Sequence, residues 1–381
     1  MGKKILYICY GDSRSPKAWS NVPFLLGENL IKIGYELIRI DISPNAKMEN
    51  LWRKYPEKLL SKFWKGHQYS YVKTPLHRLL TYQKIRKAVK EHPEIDFVLI
   101  LSFDFYNKFS TAPTILLHDW SYDMMILDRL QRKPYFFEKW FINYQTLTFK
   151  NSEEVISLFQ DAQKLISERH NVPVRHLGSN VVNDLNDNRL PENEILSIKQ
   201  RSYELLLIGS MKYLEGARKL VRAARLLRRD YPDITLNIVN IAKERLLLEE
   251  GDININCYGY LDKGNPTERK QYYNLVTNAR ILVNPSETWA AYSSTVECMY
   301  NYTPIIIKPY EAFEMDYGKE NNFGIYLENT EVNTVAAAIR KIFEMTEEDY
   351  RALCLNAHEK VKDQTWDVYA EKMAALMEGI K

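Results

Sequence analysis

The sequence predicts an α/β protein made of two doubly wound parallel sheets in tandem. Three observations carry that expectation. Short apolar runs alternate with longer amphipathic stretches through the first half of the chain, the pattern of strands joined by crossover helices. A polar stretch from Asn180 to Arg201 breaks the pattern, and the same alternation then restarts. At 381 residues the chain also exceeds what one hydrophobic core usually holds, so two domains are the default.

The elements follow in order. Lys4–Cys9 is expected to be the opening strand; its apolar run is too short for the h-region of a signal peptide. Val22–Gly34 fits a helix, with Gly34 as the residue that ends it. Glu36–Asp41, Phe97–Ser102, Thr114–Leu117 and Glu154–Leu158 fit further strands. The expected domains are 1–180, a linker at 181–201, a second domain at 202–360, and a C-terminal helix at 361–381 that packs back toward the first domain. In the second half, Tyr203–Ile208 is a strand, Gly209–Gly216 a turn, Ala217–Tyr231 a helix and Thr235–Asn240 a strand. Ile253–Tyr258, Ala279–Val283 and Pro304–Ile307 are strands with helices between them. Two such halves leave a cleft between them, and open parallel sheets bind ligands beyond the carboxyl ends of their strands. The loops after Cys9, Leu117, Ile208, Tyr258 and Val283 are therefore where chemistry is expected.

Composition removes some classes. Hydrophobic and charged contents of 45% and 27% are ordinary for a globular protein, and a net charge of +3 is too small to point to nucleic acid. The four cysteines, Cys9, Cys257, Cys298 and Cys354, are widely spaced and form no CxxC pair, which fits reduced thiols in a cytoplasmic protein. No apolar run reaches the ~18 residues of a membrane span. No Asp-x-Asp pair or His/Cys cluster with ligand spacing implies a metal.

Among the loops, Asn284-Pro285-Ser286-Glu287 running into Ser293-Ser294-Thr295 and Glu297 is the most informative. It leads from an apolar strand into a helix N-terminus, where unbonded N–H groups and the helix dipole favour an anion such as phosphate. An ordinary turn with a capping serine has the same outline. Tyr10-Gly11-Asp12-Ser13-Arg14 brings a glycine that permits close backbone approach. His118-Asp119 follows a buried strand, where His118 can donate a hydrogen bond or hold developing charge; a structural histidine is the plain alternative. Gly209-Ser210-Met211-Lys212, with Arg218 and Lys219 beyond it, offers cations for a phosphate. Arg218 and Lys219 equally well continue an exposed basic face with Arg222 and Arg225. Gly259 and Tyr260 sit where a base could be read or stacked, although aromatics are also common in strands.

The order of these motifs resembles the donor domain of GT-B glycosyltransferases of the large retaining nucleotide-sugar family, the family 4 or group 1 type. The resemblance covers roughly 180 residues: Ile208-Gly209 with Gly216 seven positions on, Tyr258-Gly259-Tyr260, Asn284-Pro285-Ser286 with Glu297-Cys298-Met299, Thr303-Pro304, Asn321 to Tyr326, and Thr365-Trp366. The first half resembles the acceptor domain more loosely, through the Gly11 loop and His118. The fold implied is GT-B, two Rossmann-like domains facing a cleft. The resemblance further implies that Glu297 binds the ribose hydroxyls, that the amides of Ser293, Ser294 and Thr295 face the diphosphate, that His118 lies beside the transferred sugar, and that Gly11 faces the donor phosphates and the acceptor. The sequence departs from the family at four places: the first acid of the E-x7-E motif falls on Trp289, with Glu287 two residues earlier as its substitute; the two phosphate-loop cations fall on Ser210 and Glu215, leaving Lys212 or Arg218 to compensate; and the Gly-Gly that usually follows the strand after Thr-Pro is replaced near Tyr310-Glu311-Ala312.

One feature of the first half stands apart. Between Lys47 and Lys90 there are twelve basic residues against two acids, a local charge of +10, with Trp52, Phe63, Trp64, Tyr69 and Tyr71 interleaved. Basic helices carrying aromatics suit an anionic membrane surface, although a solvated helical face looks the same in sequence. The expected function is therefore a metal-independent glycosyltransferase of polysaccharide biosynthesis, with no cofactor and a UDP- or GDP-type sugar as donor. Its acceptor is a glycan, a lipid-linked molecule or a polyanion, and its place is the cytoplasm, at the inner face of the membrane. The competing expectation is a degenerate GT-B protein that binds a glycan or a partner without catalysis. A GT-B epimerase would need acids and a histidine aimed at a sugar carbon, and His118 alone answers that description.

Overall fold

The computed structural model describes residues 2–178, 181–252, 254–287 and 292–380. The chain divides into two compact units, one formed by Met1–Ser179 with Trp366–Lys381 and the other by Asn180–Thr365.

The first unit is built on β1 (Lys4–Cys9), β2 (Glu36–Asp41), β3 (Phe97–Ile100), β4 (Thr114–His118) and β5 (Glu154–Ser157), in the order β2-β1-β3-β4-β5. Every pairing is parallel, with Ile8 opposite Ile40 and Ile100, and Leu117 opposite Ile156. β1, β3 and β4 are covered on both faces, which is why they read as continuous apolar runs and not as alternating ones. The helix Val22–Lys32 stops two residues short of Gly34, and Gly34 takes φ +102° to turn the chain into β2. The helix Trp366–Gly379 buries Trp366, Tyr369, Ala370, Met373 and Met377 in this unit, beside Val22–Lys32. Its far end is tied down by Lys3, paired with Glu378, and by the Tyr35 hydroxyl, 3.0 Å from the same carboxylate.

The second unit carries β6 (Glu204–Ile208), β7 (Thr235–Val239), β8 (Ile255–Cys257), β9 (Ile281–Asn284), β10 (Ile305–Ile307) and β11 (Gly324–Tyr326), in the order β11-β10-β9-β6-β7-β8 and all parallel. Its crossover helix Leu214–Leu227 starts before Ala217 and ends before Tyr231, because Pro232 disfavours helical backbone in the residue ahead of it. The stretch expected as a linker, 181–201, holds a helix, Glu192–Arg201, that buries Ile195, Leu196 and Lys199. Lys199 is fully buried and donates to Val276 O, Ala279 O and Thr303 Oγ1 at 2.8–3.1 Å, so its charge closes the ends of neighbouring elements. Burial pushes its ammonium down to about 8.

In each sheet the chain reverses its direction of travel once: between β1 and β3 in the first unit and between β6 and β9 in the second. The connections leaving two adjacent strands then diverge to opposite faces, and a crevice opens at their carboxyl ends. Close packing keeps the second crevice in register. A methyl group on Gly216 would lie 2.3 Å from Ser286 Oγ and 3.0 Å from the Ser286 amide nitrogen, so only glycine lets this helix meet the loop after β9. Alanine normally favours a helix over glycine by about 1 kcal/mol. Gly216→Ala is nevertheless expected to destabilise the protein by about 1–3 kcal/mol, measured by chemical denaturation, because the overlap involves backbone. Gly251→Ala, where nothing lies within 4 Å, serves as the neutral control.

Candidate active site

In the first unit, the crevice between β1 and β3 opens into a cavity of about 410 Å³. Tyr10 and Trp19 reach it from the loop after β1, Ser102–Asp104 from the end of β3, and His118–Tyr122 from the end of β4. Asp104 is almost fully buried and is held by three groups. Lys73 Nζ lies 3.0 Å from Oδ2, Gln145 Nε2 donates to Oδ1 at 2.8 Å, and the Tyr10 hydroxyl stands 3.5 Å away. Burial opposes the Asp104 charge, but Lys73 and these hydrogen bonds outweigh it and hold the carboxyl below its usual range.

His118 lies against this group. Its Nδ1 is 2.5 Å from Asp119 Oδ1, its ring stacks on Trp19 with centroids 4.7 Å apart, and Phe103 closes the other side at 5.4 Å. Burial works against a charged imidazole, but the carboxylates of Asp119 and Asp104 reverse the balance and raise the His118 pKa. Trp19 is placed by unusual backbone: Trp19, Ser20 and Asn21 all have positive φ, at 35°, 53° and 73°. Such conformations cost on the order of 1–3 kcal/mol each in non-glycine residues and persist only where the surroundings fix them. Gly11 has φ +89°, and its amide donates to Asp41 Oδ1 at 2.9 Å and Ser43 Oγ at 2.8 Å. The Gly11 amide, in the loop expected to face the donor phosphates and the acceptor, is thus bonded to the end of β2 and the residues just beyond it.

In the second unit, Gly209 and Ser210 follow β6, and Pro285, Ser286 and Glu287 follow the adjacent strand β9. Ser294, in the first turn of the helix Ser293–Tyr300, bridges them with its Oγ 3.4 Å from Ile208 O. Gly209 is confined by Tyr213, whose ring would lie 2.3 Å from a Cβ built there. Asn284 Oδ1, Ser286 Oγ and Thr295 Oγ1 are buried here without a hydrogen-bond partner among the described residues. Lys212 is exposed, with its ammonium 5.1 Å from the Tyr213 ring. Gly259 turns the chain after β8 with φ +64°, and Tyr260 beyond it is 67% exposed.

Three expected site residues are engaged within the protein. Glu297, expected at the ribose, is 2% exposed, and both its oxygens are occupied: Lys263 Nζ lies 2.8 and 3.0 Å from them, and the hydroxyls of Tyr272 and Tyr273 donate at 2.8 Å. Lys263 Nζ also donates to Asn183 O at 2.9 Å, so the cluster fastens the chain entering this unit. Glu287, expected at the transferred sugar, is exposed and accepts from Thr330 Oγ1 at 2.7 Å and Lys219 Nζ at 3.3 Å. Arg218, expected to compensate for the missing cations, pairs with Glu215 at 2.6 Å and donates to Arg245 O at 2.9 Å. Trp289 lies outside the described residues. Sequence reasoning missed Asp104, Lys73, Gln145, Lys263, Tyr272 and Tyr273 as a polar framework, since each sits in a stretch that reads as ordinary helix, loop or core. Among the described residues, no group of three or more His, Cys, Asp or Glu is placed to hold a metal ion.

No protein-family model and no curated protein matches the sequence. Solved structures do match the fold. WaaG, a glycosyltransferase involved in lipopolysaccharide biosynthesis, superposes over 100% of both chains with a TM-score of 0.65 at 14% identity. Anabaena HepE, solved with UDP and glucose, gives 0.61 over 100% of both chains at 14% identity. Sucrose-phosphate synthase of Thermosynechococcus elongatus gives 0.63 over 99% and 98% of the two chains at 16% identity. At such identities the likeness is one of fold: the chain has the GT-B fold, with two Rossmann-like α/β units.

The His118–Asp119 pair sets a pH dependence. A raised histidine pKa means that the pair's stabilisation is present below the free-histidine value of 6.5 and is lost as pH rises through the folded pKa. Asp119→Asn is expected to lower the His118 pKa in an NMR titration. It should also cost on the order of 1 kcal/mol of stability near pH 5.5 and progressively less as pH rises through the folded pKa of His118, the figure being modest because the pair is partly exposed.

Proposed function

We propose that this protein is a glycosyltransferase that moves a sugar from a nucleoside diphosphate donor, of the UDP or GDP type, to a glycan, lipid-linked or polyanionic acceptor. The observation that carries this reading is the group of buried polar atoms on Asn284, Ser286 and Thr295, without a partner among the described residues, on a stretch that runs from the end of β9, at the strand-order reversal of a GT-B unit, into a helix N-terminus. Buried polar atoms without partners cost free energy, and a bound ligand with hydroxyls and phosphate oxygens satisfies them. In this reading the amides of Ser293–Thr295 and the Lys212 ammonium meet the diphosphate, and Gly209 and Ser210 leave room for it. Tyr260 offers its exposed ring to the base. His118, held by Asp119 and stacked on Trp19, hydrogen-bonds the transferred sugar. The acceptor hydroxyl attacks the anomeric carbon on the face from which the diphosphate departs, and a phosphate oxygen takes its proton, so configuration is retained and no metal is needed. We assign Glu287 to anchoring the loop after β9, given its ties to Lys219 and Thr330. The unpaired cysteines favour a reducing compartment, and we place the enzyme in the cytoplasm.

Glu297 and Arg218 favour a second reading. With the Glu297 carboxylate saturated by Lys263, Tyr272 and Tyr273, and Arg218 taken by Glu215, the donor unit has fewer groups ready for a nucleotide than its fold suggests. A GT-B protein that binds a glycan or a partner without catalysis fits that state. Calorimetric titration with UDP and GDP, followed by a donor panel assayed for nucleoside diphosphate release, separates the two. The transferase reading expects binding of one nucleotide, turnover of a matching donor, and an affinity about five- to tenfold weaker in Thr295→Val, the loss of about one hydrogen bond. If neither nucleotide binds and no donor is consumed, the non-catalytic reading stands instead.

A further inference from the structure

The excursion between β2 and β3 carries a surface that the fold does not explain. Its first two helices, Ala46–Lys54 and Pro56–Phe63, contain no buried residue. Their inward contacts come from Trp52 and Leu60, which pack on a cluster formed by Tyr69, Tyr122, Ile126 and Phe141. On the outside, Leu51, Tyr55, Leu59 and Phe63 follow one another at intervals of four residues and are 60%, 58%, 59% and 64% exposed. Phe136, 70% exposed on a neighbouring helix, extends the row through Trp64, whose ring lies 6.0 Å away edge-on. Four large apolar side chains at four-residue intervals along two helices that meet at Tyr55, all turned to water, are not the scatter expected of an ordinary surface.

The charges match this row. Lys47, Arg53, Lys54, Lys58, Lys62 and Lys65 are exposed, and among the described residues none makes an ion pair within 4 Å. Lys54, Lys58 and Lys62 each precede a member of the apolar row, and two of them rest over it, Lys54 5.2 Å from the Tyr55 ring and Lys62 5.9 Å from Phe63. The surface is also held in place. Gln68 N donates to the buried Glu138 at 2.8 Å, Arg132 reaches Gly66 O at 2.9 Å, and the Tyr135 hydroxyl reaches Lys65 O at 2.9 Å.

We propose that the helices Ala46–Lys54 and Pro56–Phe63, with Trp64 and Phe136, form a docking surface for an anionic lipid bilayer. The Leu51-Tyr55-Leu59-Phe63 row enters the headgroup boundary, and the five lysines and one arginine beside it meet lipid phosphates. An apolar row bordered by unpaired cations is what an interfacial helix needs, and a soluble polyanion would use the cations without the row. Lys73 and Gln68, from the same excursion, line the cavity that holds His118. Joined to the proposed transferase activity, on which this last step rests, the geometry brings a lipid-borne acceptor to that cavity.

Vesicle flotation tests the surface without any donor. The full chain is expected to float with phosphatidylcholine vesicles containing about 30% phosphatidylglycerol and not with phosphatidylcholine alone. Phe63→Asp and Leu59→Asp, each on an exposed position, should lower vesicle binding about tenfold or more while leaving thermal unfolding and nucleotide titration unchanged. Docking is overturned if the protein does not float with anionic vesicles. It is also overturned if the two Asp variants float as well as the parent, if single-stranded DNA or polyphosphate competes fully, or if light scattering shows a dimer that those variants dissolve. Floating without donor turnover would leave the surface in place and remove only the link to a lipid-borne acceptor.

Discussion

Parallel strand pairing is the constraint on which the rest of this protein depends. Every strand of both sheets runs the same way, so each unit gathers its strand-end loops on one edge. The single reversal of strand order then decides which loops part. In the first unit it separates the Tyr10–Trp19 loop from Ser102–Asp104, and in the second it separates Gly209–Ser210 from the loop after β9. In a parallel sheet a crevice opens between adjacent strands at such a reversal.

Each crevice is stiffened by a buried carboxylate. Asp104 is held by Lys73 and Gln145, and Glu297 by Lys263, Tyr272 and Tyr273. A carboxylate removed from water is tolerable only when cations and neutral donors replace its hydration, so each of these acids fixes the position of everything that serves it. Around Asp104 this fixes Lys73, from the basic excursion, beside His118. Around Glu297 it fixes the tyrosine pair and the entering chain near Asn183. The tyrosine hydroxyls are correspondingly pushed well above their usual range, by burial first and by the Glu297 charge second. These acids are therefore architectural, and any role toward a ligand would compete for the same lone pairs.

That competition separates what was legible from what was not. Strand positions were largely legible: Lys4–Cys9, a nearly unbroken apolar run, and the half-buried Glu36–Asp41 are read to the residue, and the other strands named from the sequence to within two residues at each end, while Gly324–Tyr326 was seen only as part of the Asn321–Tyr326 motif. Glycine roles were partly legible. Gly34 was read as a helix stop, but that Gly216 is needed for contact with Ser286 depends on residues far apart in sequence. Ser286 and His118 were singled out as candidates from their place after apolar strands. The partners of Glu297 were not, since Tyr272 and Tyr273 look like core aromatics and Lys263 like a loop cation until the fold turns all three onto one carboxylate.

By itself, the sequence determined two α/β halves, the loops that leave their strands, and a basic, aromatic excursion in the first half, because local hydrophobic patterning and charge survive without neighbours. Only the tertiary structure decided which of those residues are free to act. Arg218, Glu287 and Glu297 are drawn into contacts with Glu215, with Lys219 and Thr330, and with Lys263 and two tyrosines. Leu51, Tyr55, Leu59 and Phe63 are left in water. The physical reason is the same in both cases: the cost of burying a charge or exposing an apolar side chain is set by what the fold brings within a few ångströms, and sequence spacing does not carry that distance.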